Sequence, residues 1–121
     1  MARRPVLLFY SLLLIPSLLR VLACTSKDVN RIADVLLEVQ DWKGLASELD
    51  IKIGDQNAIS SNCRDNEAKC HRRSLVQKYC DASGLAVEVV AENIAQALES
   101  MGHKKQANII KNMFPAGAEH R

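Results

Sequence analysis

The side chains best suited to chemistry in this sequence are four cysteines, at positions 24, 63, 70 and 80, and a histidine, His71. The spacing of Cys63, Cys70 and Cys80 lacks the close cysteine pair of a structural zinc site. Cys70 and His71 are neighbours and would point to different sides of a helix. A Cys–His nucleophile is equally unsupported, because no pattern positions the imidazole or supplies an oxyanion site. We therefore expect no metal, no cofactor and no enzymatic activity.

The cysteine count leaves two redox states open. Four cysteines in 121 residues are far fewer than a disulfide-built scaffold carries. Three of them fall within helical patterns, where a free cysteine behaves as a small hydrophobic residue. Composition therefore favours buried thiols. An even number of cysteines remaining after removal of an export signal would favour disulfides instead.

The first 24 residues have the pattern of a secretory signal peptide. Two arginines precede an apolar run over residues 6–15, and Ala23 stands at the small-residue position before Cys24. Because Arg20 interrupts the apolar stretch, it is shorter than the ~20 residues of a membrane span. We predict cleavage between Ala23 and Cys24. The alternatives are membrane attachment through residues 1–24, or an apolar extension without a targeting role.

After this segment, apolar residues recur with the 3.6-residue period of amphipathic helices. No segment alternates with the period of a strand, and aromatic residues are only 4% of the chain. The pattern predicts an all-α fold, a compact antiparallel bundle of about six helices over residues 25–114, with a flexible tail at 115–121. The stripes predict a core that contains Trp42, Leu45, Leu49, Ile59, Leu75, Ile94, Leu98 and Ile110.

Polar residues mark the predicted starts of the first three helices. Thr25 or Ser26 is placed to cap the first helix and Asp41 the second, because their side-chain oxygens can accept an unpaired backbone N–H. Residues 54–55, Gly-Asp, predict a turn before a short third helix. That helix is expected to bury Ala58.

The segment 41–49, with the sequence DWKGLASEL, and the following Ile51 and Ile59 resemble the second and third helices of a death domain. Leu75 and the stretch 94–110, in which a glycine separates two Ala-bearing helices, resemble its last three helices. The resemblance implies a death-fold bundle. It also implies a signal-transduction adaptor, of the apoptotic or innate-immune kind, in the cytosol or on the cytosolic face of a membrane.

The resemblance further implies association with other death-domain proteins or with a second copy of the chain, through patches that pair acidic with basic groups. No small-molecule ligand is expected. The candidate protein-binding residues are charged and lie around the predicted second to fourth helices: Glu48, Asp50, Lys52, Asp55, Arg64, Asp65, Lys69, Arg72, Arg73 and Lys78. Reversal of Arg72 and Arg73 to Glu is expected to abolish association and to leave the helices intact.

Two other classes of function stay open. A secreted small helical protein, stapled by disulfides after signal removal, agrees with the N-terminal segment, which conflicts with the cytosolic location of death domains. A nucleic-acid-binding domain would use the basic pairs at 72–73 and 104–105. The net charge of +2 and the interspersed acidic residues argue against it, so we expect no nucleic-acid partner.

Overall fold

The structure is a computed structural model that describes residues 24–64 and 67–115. All regular secondary structure within these ranges is helical, which confirms the all-α prediction. The helices are α1 (Ser26–Leu36), α2 (Trp42–Glu48), α3 (Ile53–Asn62), α4 (Ala68–Ser83), α5 (Val87–Ser100) and α6 (Lys104–Met113). The predicted signal segment as far as Ala23, residue Asp65 and the tail after Pro115 lie outside the described residues.

Side-chain caps begin the first two helices, as the sequence predicts. Thr25 Oγ1 accepts a hydrogen bond from the Asp28 amide at 3.1 Å, and Asp41 Oδ1 accepts one from the Gly44 amide at 2.9 Å. A β-carbon at position 44 would collide with the Asp41 carboxylate. The glycine therefore lets the cap of α2 approach the backbone, at the cost of a weaker helix former inside α2.

The turn between α2 and α3 lies earlier than predicted. Gly54 and Asp55 belong to the first turn of α3, whereas Asp50 reverses the chain with a φ of 60°. Aspartate tolerates this left-handed conformation better than most residues do. The expected burial of Ala58 is wrong. Ile59 takes the inward position on α3 and Ala58 faces solvent.

The helices enclose one apolar core in which the first and last helices are neighbours. Helix α1 packs against α4 and α6, α5 packs along α6, and α2 contacts α3, α4 and α5. All eight predicted core residues are buried, which confirms them. Full burial of a leucine or isoleucine contributes about 1.5–3 kcal/mol. In the described part of the chain, no helix has the length and apolar content to cross a membrane.

Two disulfides pair all four cysteines, so the expectation of buried free thiols is wrong. Cys24–Cys80 ties the segment before α1 to the last turn of α4, with the Cα atoms 6.2 Å apart. Cys63–Cys70 joins the end of α3 to the first turn of α4, with a Cα separation of 5.7 Å. Helical periodicity indicates that a cysteine is buried, but it does not indicate which cysteines meet across the fold.

Candidate protein-binding groove around helix α4

A cavity of about 640 Å³ lies between the start of α1, α3 and α4, and we term it the first hollow. Val29 and Ile59 supply apolar surface to it. Its charged lining residues are two acids and two bases, contributed by α3 and α4: Asp55, Arg73, Lys78 and Asp81. The cavity therefore combines apolar walls with a rim in which charges balance.

Two smaller hollows continue from the first. The second, of about 330 Å³, shares Asp55 and Lys78 with the first hollow. The third, of about 290 Å³, shares Leu49, Asp50 and Tyr79 with the second. Because helix α4 contributes lining residues to all three, we term the row of adjoining hollows the α4 groove.

The turn between α2 and α3 forms one wall of the second and third hollows. The left-handed backbone at Asp50 directs the chain from α2 into α3 along this wall. Gln56 holds the turn against α3, because its buried amide Nε2 donates to the Ile51 carbonyl at 2.9 Å and to Ser47 Oγ at 3.2 Å. The wall is therefore fixed by hydrogen bonds from within the bundle.

An ion pair separates the first hollow from the second. Lys78 Nζ lies 3.6 Å from Asp55 Oδ1, and the two side chains are 47% and 43% exposed. An ion pair this exposed contributes only about 0.2–1 kcal/mol, because water screens both charges. A partner that offered its own charges to either side chain would therefore replace the pair at little cost.

The α4 groove brings together six of the ten predicted binding residues: Glu48, Asp50, Lys52, Asp55, Arg73 and Lys78. Lys69 lies away from it and pairs with Asp34 of α1 at 3.1 Å. Arg64 is exposed between α3 and α4 and lines none of the three hollows. Protein binding by these residues stays a prediction.

Arg72 is buried, with only 6% of its surface exposed, so its predicted place on an exposed binding surface is wrong. Its Nε donates to the Leu36 carbonyl at 3.0 Å and its Nη1 to the Ala68 carbonyl at 3.1 Å. Nη2 donates to the carbonyls of Val39 and Gln40. Desolvation by burial lowers the pKa of this guanidinium from its ordinary value. Arg72 thus holds the end of α1 against the start of α4.

This burial changes how the binding surface must be tested. A glutamate at position 72 would place a carboxylate among carbonyl oxygens, which repel it, so the double reversal of Arg72 and Arg73 would disturb the fold. Arg73, one position further along α4, is exposed and lines the first hollow. Reversal of Arg73 alone is therefore the variant that tests the surface.

Sequence reasoning did not identify the uncharged polar residues of the groove, of which Tyr79 and Asn30 are two examples. The Tyr79 hydroxyl, in the third hollow, accepts a hydrogen bond from Asn93 Nδ2 at 3.0 Å. Asn30 lines the first hollow, and its Oδ1 is buried without a hydrogen bond from the described residues. A buried acceptor without a hydrogen bond lowers the free energy of unfolding by about 1–3 kcal/mol. Neither residue belongs to a motif, so the sequence carries no signal for either role.

The cysteines form disulfides, and His71 forms an aromatic stack. Both disulfides use the thiols that a metal or a nucleophile would need. The His71 ring stacks on Trp42 with the ring centroids 5.1 Å apart. Among residues 24–64 and 67–115, no group of three or more His, Cys, Asp or Glu residues is arranged to hold a metal ion.

Comparisons with models of known protein families, with curated proteins and with solved structures gave no match. The resemblance to death domains therefore rests on the residues of this chain alone.

Proposed function

We propose that this chain is a small protein-binding module that works outside the cytosol after export through the secretory pathway. The observation that carries the proposal is the pairing of all four cysteines as Cys24–Cys80 and Cys63–Cys70. Disulfides persist in secreted proteins and are rare in the reducing cytosol. The predicted signal peptide ending at Ala23 supports the same compartment.

The α4 groove is the binding surface in this proposal. Its rim carries both signs of charge, and its walls contain apolar side chains from α1 and α3. Complementary charges set the choice of partner and the rate of association more than the affinity. The apolar area within the groove is small, because Val29 and Ile59 are themselves buried in the core, so polar and charged contacts are its main means of recognition.

A second candidate is the cytosolic adaptor that the resemblance to death domains implies, with homotypic association as its activity. It is supported by the burial of all eight predicted core residues and by the packing of α1 against α6 in a bundle of six described helices. This candidate requires four reduced cysteines in the cytosol, which the observed pairing opposes.

Protease protection and thiol labelling distinguish the two candidates. The full chain with a C-terminal tag would be produced in secreting cells. The matched control is the same chain starting at Cys24. We expect the tag of the full chain in the medium, or protected until internal membranes are dissolved, with thiols that react only after reduction. A tag digested once the cytosol is opened, with four reactive thiols, would replace the export proposal with the cytosolic adaptor.

A further inference from the structure

The charges of the α4 groove change along its length. In the first hollow, Asp55 and Asp81 are balanced by two bases, and in the second hollow Lys52 and Lys78 balance two acids. The third hollow is lined by Glu48 and Asp50, and none of its described lining residues is basic. One end of the groove therefore attracts a cation, and the rest accommodates both signs.

Neutral polar groups complete the acidic end. The residues that line the third hollow include Tyr79, Asn93, Gln96 and Ser100, which carry hydroxyl and amide groups. The ammonium group of lysine and the guanidinium of arginine carry several hydrogen-bond donors and no acceptor. A basic side chain in this hollow would therefore meet carboxylates for its charge and oxygens for its donors.

The shape of the groove suits a chain better than a small molecule. Small-molecule sites bury most of their ligand in an enclosed cavity, whereas the three hollows are open to solvent and follow one another. Residues 73–83 of α4, which run beside the hollows, span about 15 Å at ~1.5 Å per residue. An extended segment of about five residues, at ~3.3 Å each, covers that distance.

A partner helix suits the groove less well. Helices dock in grooves through an apolar stripe, which requires large exposed apolar residues in the receiving surface. The exposed large apolar residues of the described chain lie elsewhere, and none lines the three hollows: Leu37, Ile53, Leu85, Val89 and Ile109. Polar contacts along an extended backbone match the walls that the groove does present.

We propose that the α4 groove binds an extended segment of a partner protein, with a lysine or arginine side chain of that segment in the third hollow beside Glu48 and Asp50. The inference rests on the proposed function as a protein-binding module and names the kind of occupant. The Asp55–Lys78 pair opens as the segment crosses from the second hollow into the first, and its charges then contact the segment.

The test is selection from a library of random short peptides displayed on phage, with the oxidised, exported form of the chain as target. We expect the enriched peptides to share one basic residue. Glu48→Gln with Asp50→Asn is expected to weaken their binding about tenfold, because a charge contact is lost. Asparagine tolerates the left-handed backbone at position 50. The matched control, Glu88→Gln with Glu92→Gln, removes two carboxylates outside the groove and is expected to change affinity less than about twofold.

A thermodynamic cycle makes the assignment specific. Replacing the shared basic residue of the peptide by alanine should lower the binding affinity by the same factor as the groove variant does. Because both changes remove the same contact, the two together should lower the affinity no further than either alone. Peptides enriched without a basic residue, an additive double change, or an equal loss in the control variant would overturn the inference.

Amide chemical shifts of the labelled wild-type chain locate the peptide without any variant. Shifts at Asp50, Tyr79 and Asn93 are expected, and shifts confined to α6 would refute the assignment. An exported chain with two disulfides that enriches no peptide would end this inference and leave the export proposal intact. A chain with free thiols in the cytosol would end the export proposal whatever the peptides do.

Discussion

Arg72 and Arg73 are neighbours in sequence but belong to two different regions of the molecule. On the closed side of α4, Arg72 is buried among backbone carbonyls, and His71 stacks on Trp42. On the open side, Arg73 and Lys78 line the groove, and Lys78 forms only an exposed ion pair. The same helix therefore stabilises the fold with one side and leaves the other side available to a partner. Variants on the two sides should differ in their effects on the free energy of unfolding and on binding.

The largest effect is expected from removal of the disulfide that joins α4 to the start of the described chain. Cys24→Ala with Cys80→Ala opens a loop of sequence separation 56. Loop-closure entropy for that length predicts a loss of about 4 kcal/mol in the free energy of unfolding. Urea denaturation followed by circular dichroism measures it. A loss below about 1 kcal/mol would mean that α1 packing alone holds this end of the fold.

The second-largest effect is expected from Arg72→Met, which should lower the free energy of unfolding by about 3 kcal/mol. The carbonyls that accept hydrogen bonds from the charged guanidinium would be left buried and unpaired. The matched variant is Arg73→Met on the open side, which should change the unfolding free energy by less than about 0.5 kcal/mol. Equal losses from the two variants would contradict the division of α4 into a closed and an open side.

The short disulfide is expected to contribute less than the long one. Cys63→Ala with Cys70→Ala opens a loop of sequence separation 7, for which loop closure predicts about 2 kcal/mol. Cys63 Sγ also lies 3.7 Å from Ser74 Oγ, and Ser74 lines the first hollow. We therefore expect weaker binding of groove peptides together with the lower stability. Unchanged peptide affinity would show that this loop does not shape the groove.

The smallest effect should be a gain in stability from a change in the first hollow. Asn30→Ala removes the buried acceptor of the first hollow and should raise the unfolding free energy by about 1 kcal/mol beyond the gain from helix propensity. Asn108→Ala, at an exposed position of α6, measures the propensity gain alone. Thermal melting compares the two variants. Equal gains would mean that Asn30 costs the fold nothing.

The sequence predicted the core positions and helix starts that are set by residues close together along the chain. The apolar period identified the core residues from Trp42 to Ile110, and side-chain caps at Thr25 and Asp41 marked two helix starts. The third start was misplaced because Gly54 is the more familiar turn residue, whereas Asp50 adopts the left-handed conformation.

Contacts between distant segments were not predictable in the same way. The pairing of Cys24 with Cys80 depends on how α1 lies across α4. The burial of Arg72 depends on carbonyls that the end of α1 exposes. The charges of the groove were visible in the sequence, but their division between two sides of α4 required the packing of all the neighbouring helices.

The stack of Trp42 on His71 gives the molecule an optical property. Trp42 is the only tryptophan of the chain, and its ring is buried with the imidazole 5.1 Å away. It lines none of the three hollows. Its fluorescence emission therefore reports the packing around the Trp42–His71 stack. We expect it to change when the bundle unfolds and to stay constant when a peptide fills the groove, so it separates loss of the fold from peptide binding.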